Sequence, residues 1–226
     1  MDTEIDIAQN LKSIQEDIPS DVHLVAISKF HPASYIQEAY NCGQRLFGES
    51  REQELAQKAK VLPHDIQWHF IGHLQTNKVK YIAPYIDMIE SVDSLKLLKE
   101  IDKQAQVNNR KIKVLLELHV AQEDSKYGFS FEECRKMLNE GVWKNLTHVE
   151  ICGIMTIATN TEDTQQIRAE FTTAYDFFKE AKEDYFRDED NFCECSWGMS
   201  HDYKIAVACH STIVRIGTAI FGPRVY

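Results

Sequence analysis

The chain has 226 residues, 43% of them hydrophobic, and a formal net charge of −10. This is enough apolar side chain for one substantial core, and single α/β barrels commonly have this length. The acidic balance argues against non-specific nucleic-acid binding, which needs clustered Lys and Arg to neutralise phosphates. No apolar run approaches the ~18 residues of a membrane span. The opening Met1-Asp-Thr-Glu-Ile-Asp-Ile7 is acidic and lacks a signal-peptide pattern, so the cytoplasm is the expected location. Nine Gly and five Pro are scattered singly, so one domain over residues 1–226 is expected. No long exposed apolar helix demands a partner, and a monomer is expected. Six dispersed cysteines, Cys42, Cys134, Cys152, Cys193, Cys195 and Cys209, show no C-x-x-C spacing and read as reduced, mostly buried small hydrophobes. Cys193 and Cys195 alternate on an apparent strand and would share one face.

In chain order, an amphipathic helix near 3–17 precedes a regular alternation. Strands are predicted at 22–29, 45–49, 66–72, 86–92, 111–121, 148–157, 192–199 and 213–221. Helices are predicted between them near 33–42, 50–60, 75–83, 94–108, 130–140, 162–185 and 201–210. In 94–108, Leu95, Leu98, Ile101 and Ala105 recur at helical spacing, with Ser91 or Ser94 placed to cap. The acidic stretch Glu180 to Glu194 reads as a solvated helix end and loop. About eight βα units predict a single (β/α)8 TIM barrel with an additional N-terminal helix. A doubly wound open sheet is the alternative, but G-x-G-x-x-G and P-loop signatures are lacking.

In a barrel all strand C-termini share one face, and that face carries the chemistry. Lys29 ends the first apolar strand, Val22 to Lys29. Desolvation of its stem would lower the amine pKa and favour Schiff-base chemistry; a snorkelling surface lysine is the alternative. Gly48-Glu49-Ser50, Gly72 to Lys78, Ser91 to Ser94 and Met155-Thr156-Ile157 fall at further strand ends. Ser196-Trp197-Gly198-Met199-Ser200 and Arg215-Ile216-Gly217-Thr218 close the ring. Small residues there expose backbone N–H groups, and barrels commonly bind phosphate after strands seven and eight. Ser196, Ser200, Gly217 and Thr218 are therefore candidate phosphate ligands, with plain turn chemistry as the alternative. Arg215 has apolar neighbours, and buried arginine is rare unless paired. It is either a partner of Glu49, Asp87 or Asp93, or it faces a ligand. His69 and His73 lack metal-site geometry on a strand and loop, and no metal is expected. His69 reads as a satisfied histidine in the barrel interior.

Together these segments resemble the pyridoxal phosphate homeostasis proteins, a family related to the N-terminal barrel of alanine racemase. The resemblance runs through Val25-Ala-Ile-Ser-Lys29, Phe47-Gly-Glu49 with Gln53-Glu54, and Trp68-His-Phe-Ile-Gly-His-Leu-Gln-Thr-Asn-Lys78. It continues through Ser91-Val-Asp-Ser94, Ser125-Lys-Tyr-Gly128, Gly153-Ile-Met-Thr-Ile157 and Ser196-Trp-Gly-Met-Ser200 with Asp202. It closes with Ser211 to Gly222 and Arg224. The resemblance implies that Lys29 carries pyridoxal 5′-phosphate as an aldimine and that Arg215 approaches the pyridine nitrogen. It implies that Ser196, Ser200, Gly217 and Thr218 surround the phosphate, and that Met155 and Ile157 pack against the ring. Ser50, Trp197, His119 and His210 depart from the family, which usually has Asn, Met, Asn and Gly there. Trp197 is expected to add bulk beside the phosphate, and His210 to sit where positive φ is required.

The expected role is vitamin B6 homeostasis: holding the cofactor reversibly, buffering the aldehyde and delivering it to apo-enzymes, with little or no catalytic turnover. An amino-acid racemase using the same lysine is the alternative. It would need a second acid/base from an additional β-domain, and the chain ends at Tyr226 directly after the last strand. A Schiff-base aldolase would leave the phosphate cup and Arg215 without a joint explanation.

Overall fold

The computed structural model describes residues 5–122 and 127–223. Its strands are β1 (His23–Ile27), β2 (Leu46–Glu49), β3 (Gln67–Phe70), β4 (Ile86–Val92), β5 (Ile112–Leu118), β6 (Val149–Thr156), β7 (Glu194–Ser196) and β8 (Ile213–Ile216). The helices are α1 (Ile7–Asp17), α2 (Ala33–Asn41), α3 (Glu52–Lys58), α4 (Leu95–Val107), α5 (Phe131–Glu140), α6 (Thr164–Tyr185), α7 (Tyr203–Ala208) and α8 (Thr218–Phe221). The strands pair in chain order, all parallel, and β8 returns to β1 through His23 with Ile213 up to Ala26 with Ile216. This is the eight-stranded barrel that the alternation predicts.

Strand alternation sorts the apolar residues into two compartments. Leu24, Ala26, Phe47, Trp68, Ile89 and Val114 face the helices in the outer annulus. Val25, Ile27, Met88, Leu115, Cys152, Met155 and Ile213 fill the interior as a separate cluster. That inner cluster is small because polar side chains take over the interior layer above it. His69, Glu90, Glu117, Ser196 and Arg215 are all buried. Gly153 supports the change of register between β5 and β6. It has φ +155, and a Cβ there would lie 1.8 Å from the Glu194 carbonyl oxygen.

Three elements differ from the expectation. The run 213–221 is half strand and half helix, because an apolar run by itself does not distinguish the two. β8 stops at Ile216, and α8 starts at Thr218. Residues 75–83 make a short 3-10 helix, Thr76–Tyr81, closed off before Pro84. Cys193 lies outside β7 and is exposed while Cys195 is buried, so the two do not share a face. The six cysteines are free, four of them buried. The amphipathic helix at the N-terminus is present as α1. It packs against α8 and α2 through Ile7, Leu11 and Ile14, supplying outer cover that a four-residue α8 is too short to give.

Both unusual residues near the end of the chain find structural roles. Trp197 points away from the barrel mouth. It is fully buried, its Nε1 donates to the Cys209 carbonyl at 3.2 Å, and its ring stacks on Phe171 of α6. It therefore adds core volume, not bulk beside a phosphate. His210 adopts φ +65, and its ring stacks on Tyr175 at 4.2 Å. Replacing Trp197 with Ala is expected to cost about 3–5 kcal/mol, the range for deleting a large buried aromatic. Urea unfolding measures this, and a loss below about 1 kcal/mol would contradict the assigned burial.

Candidate functional site

Lys29 lies two residues beyond β1, in a turn that several groups hold rigid. Ser28 keeps the sheet pairing, its N–H donating to the Gly48 carbonyl at 3.0 Å. The chain then turns sharply: His31 N–H reaches back to the Ser28 carbonyl at 3.1 Å, and Phe30 takes φ +67. A non-glycine residue in this region is strained and needs support. Phe30 N–H donates to Glu54 Oε1 at 2.7 Å, and the Arg51 guanidinium lies 4.5 Å from the Phe30 ring centre. Beneath the turn, the buried Lys58 ammonium donates to the Ser28 carbonyl (2.8 Å), Glu49 Oε1 (2.7 Å) and Glu54 Oε1 (2.6 Å). Ser28 Oγ donates to the same Glu49 oxygen at 2.6 Å. Burial pushes the Glu49 carboxyl up to about 7, although Lys58 and Ser28 pull it down. Lys29 itself is half-buried, so the desolvation expected for a strand-end lysine is partial.

Arg215 sits at the centre of the interior polar layer. Its Nη1 donates to the Ser196 carbonyl (2.8 Å) and to Ser196 Oγ (2.6 Å), and its Nη2 to the Thr156 carbonyl (2.9 Å). Ser196 Oγ in turn donates to Glu90 Oε2 at 2.6 Å, and His69 Nδ1 lies 2.6 Å from Glu90 Oε1. Glu90 is therefore bonded on both oxygens and lies 3.6 Å from the guanidinium. Burial pushes its carboxyl up, but His69, Arg215 and Ser196 together outweigh that and hold it below the ordinary value. The ion-pair partner of Arg215 is thus Glu90, not Glu49, Asp87 or Asp93. His69 is satisfied in the barrel interior, as its place on a strand suggests. A guanidinium carries five N–H groups. Three are committed to these acceptors; the Nε–H and one Nη2–H have no acceptor among the described residues.

The proposed phosphate residues divide. The Ser196 hydroxyl is committed inward to Glu90 and Arg215, so it orients the arginine. Ser200 lies in the loop after β7. That loop is pinned by Asp202, whose Oδ1 accepts from Met199 N–H at 2.5 Å, and by Gly198, whose carbonyl accepts from Arg215 N–H at 2.9 Å. Gly198 has φ +96, and a Cβ there would lie 2.5 Å from the Ala206 Cβ. Gly217 forms the junction before α8, where a Cβ would crowd the Ile27 carbonyl at 3.0 Å. Thr218 opens α8; the N–H groups of Ile220 and Phe221 donate to the Gly217 carbonyl at 2.8 and 2.9 Å, which leaves those of Thr218 and Ala219 without an intrahelical acceptor. The donor set suits a phosphorylated aromatic aldehyde: a lysine amine, an arginine with N–H groups to spare, and hydroxyls and backbone donors around a glycine junction. Met155 is fully buried in the interior cluster, with Ile157 packed against it.

Sequence reading missed Glu90, Lys58 and Glu117. A buried acid in the apolar run of β4 was a visible signal for Glu90. Nothing in the sequence connected Lys58 to a turn that begins some thirty residues earlier. Glu117, on β5, is 7% exposed, and its Oε2 has no hydrogen-bond partner among the described residues. The motif residues Ser125, Lys126 and Arg224 lie outside the described residues.

Fold and site together define a closed parallel eight-stranded barrel that gathers a lysine, a bonded arginine and two loops carrying glycine with serine or threonine at its C-terminal mouth. Residues 5–225 match the family model described as alanine racemase, N-terminal domain. The pyridoxal phosphate homeostasis protein of Aquifex aeolicus is 38% identical over 204 residues, covering 90% of this chain and 87% of that protein. The Pasteurella multocida protein of the same name is 34% identical, covering 97% and 98%. PipY of Synechococcus elongatus PCC7942, solved with PLP bound, superposes with a TM-score of 0.86 at 36% identity, covering 96% of this chain and all of that one. Alanine racemase from Bartonella henselae shares the fold alone, at 16% identity, a TM-score of 0.72 and 58% coverage of its chain. The chain belongs to the pyridoxal phosphate homeostasis protein family.

Glu117 generates a pH prediction. Burial, with Asp93 and Glu90 nearby, pushes its carboxyl from the ordinary 4.5 up to about 7, against the pull of Arg215. The native state therefore keeps a proton that the unfolded chain loses. Its contribution to stability is fully present below 4.5 and is lost as pH rises to about 7. Glutamine cannot ionise, so Glu117→Gln should gain stability over the parent between pH 5 and pH 8, on the order of 2 kcal/mol. Urea unfolding of both proteins at the two pH values tests this; a pH-independent difference would refute it.

Proposed function

We propose that the chain binds pyridoxal 5′-phosphate reversibly at the C-terminal mouth of the barrel and serves in vitamin B6 homeostasis. The observation that carries the reading is the anchored Arg215, with two N–H groups left for a ligand, on the same barrel face as Lys29. When bound, the cofactor supplies an electrophilic aldehyde and a heteroaromatic ring. Lys29 would hold the cofactor through its ε-amine, which the braced Ser28–Phe30 turn positions. Arg215 would donate a hydrogen bond to the ring nitrogen. A guanidinium is a donor only and keeps its proton, so it would leave that nitrogen unprotonated. Ser200, Gly217, Thr218 and the backbone N–H groups of Thr218 and Ala219 would hold the phosphate, with Ser196 acting through Arg215. Met155 and Ile157 supply apolar contact.

The protein acts as a cytoplasmic monomer that buffers the aldehyde and passes it to PLP-dependent apo-enzymes. Among the described residues, the exposed large apolar side chains, Val61, Tyr81, Val107 and Tyr127, come from four separate segments, which supports a monomer. No described helix is long and apolar enough to cross a membrane.

Lys29→Ala should abolish the near-visible absorption of protein loaded with the cofactor while leaving far-UV circular dichroism unchanged. A borohydride-reducible chromophore that persists in this variant would refute the role of Lys29. Pyridoxal without phosphate should bind much more weakly, because each charge-assisted hydrogen bond lost costs about 1.5–3 kcal/mol; equal affinities would remove the phosphate cup. Incubation of the loaded protein with L-alanine in D₂O should give at most slow α-deuteration, since Arg215 leaves the ring a poor sink for carbanion charge. Rapid, Lys29-dependent deuteration with inversion would establish a racemase instead.

A further inference from the structure

A cleft of about 180 Å³ opens at the mouth of the barrel between the ends of β3, β5 and β6. Ile71, His73, Glu117, His119, Tyr127 and Ile157 line it. Its chemistry is one-sided. Glu117 is 7% exposed and its Oε2 is unpaired, which is costly for a buried acceptor. Asp93 and Glu90 add negative potential around it, and among the described residues Arg215 is the cation that opposes them. The Arg215 fork is turned toward Ser196 and Thr156. No lysine or arginine is among the described residues that line the cleft. Another part of the wall is aromatic. His73 stacks on Tyr127 with ring centres 3.8 Å apart and 12° between planes, and Asp93 Oδ2 fixes His73 through its Nδ1 at 3.0 Å.

We propose that this cleft binds the ammonium group of a small primary amine, with Glu117 as its counter-ion and the His73–Tyr127 pair as its aromatic wall. An ammonium brings the three things this site can use. It has N–H donors for the unpaired oxygen, positive charge for a locally acidic field, and attraction to an aromatic face. An anion would meet Glu117 and Asp93. A neutral alcohol would satisfy the oxygen but not the charge. Drug-sized ligands occupy about 300–1,000 Å³, so this cleft admits a short aliphatic or single-ring amine, its apolar part against Ile71 and Ile157. The site lies on the same barrel face as Lys29, and binding there requires no cofactor.

The test uses the full-length Lys29→Ala protein, which removes any lysine-linked group from the readout. Isobutylamine hydrochloride, isobutanol and sodium isobutyrate are titrated calorimetrically at pH 8, where Glu117 is ionised. The amine should bind saturably at one site, the alcohol about tenfold more weakly or less, and the carboxylate not at all. Adding Glu117→Gln should weaken amine binding about tenfold or more. Tyr127→Ala, at an exposed position and with Glu117 retained, should weaken it about threefold. Urea unfolding verifies that each variant is folded. Equal affinity for amine and alcohol, a folded Glu117→Gln variant that binds the amine as tightly as its parent, or no saturable amine binding would each overturn the proposal. None of these outcomes bears on cofactor binding, which the unsubstituted protein reports separately.

Discussion

A guanidinium inside a barrel must have its charge and its donors answered there, and much of this structure follows from how Arg215 is answered. Its direct acceptors are mostly backbone carbonyls at the ends of β6 and β7. Its charge is met by Glu90, which reaches it both directly and through the Ser196 hydroxyl, while His69 takes the other carboxylate oxygen. Five strands thus contribute to one polar layer. An unpaired charge at that depth would be strongly destabilising, whereas a bonded one is tolerated. The layer also fixes the direction of the arginine fork, so the two remaining N–H groups do not have to be ordered when a ligand arrives. Preorganisation of this kind reduces the cost of binding.

The Lys29 turn is solved with the same economy but opposite polarity. Here a buried ammonium, Lys58, gathers two carboxylates and a carbonyl beneath a backbone that would otherwise relax out of positive φ at Phe30. α3 therefore does more than cover β2. Its last residue secures the turn that presents Lys29, and its Glu54 secures the next peptide. The two polar assemblies are separate, one facing the barrel interior and one facing the helices. Ser28 and Glu49 alternate outward while Ser196 and Arg215 alternate inward.

Two buried carboxyls, Glu49 and Glu117, are both pushed up to about 7 by burial, and each has one unpaired oxygen. Their surroundings set them apart. Glu49 has an ammonium and a hydroxyl on its other oxygen, so it is a structural hub. Among the described residues Glu117 has no such cation bonded to it, and it borders a cleft, so it is the one placed to serve a ligand.

What the sequence determined by itself is periodicity and chemistry type. The apolar runs and amphipathic intervals were enough for eight βα units and the barrel, because both signals are local. Lys29, Arg215 and the Gly/Ser-rich strand ends stood out because they break an apolar pattern. Tertiary structure decided the rest, wherever the deciding contact lies far along the chain. Ser196 read as a phosphate ligand because serine near glycine is ambiguous between a turn and a nest; only the approach of Glu90, over one hundred residues away, turns its hydroxyl inward. Trp197 looked like an intrusion until strand parity placed it against Phe171. The apolar stretch after Arg215 divides into β8 and α8 because Gly217 must pass close to Ile27 of the neighbouring strand, a constraint that exists only once the barrel has closed.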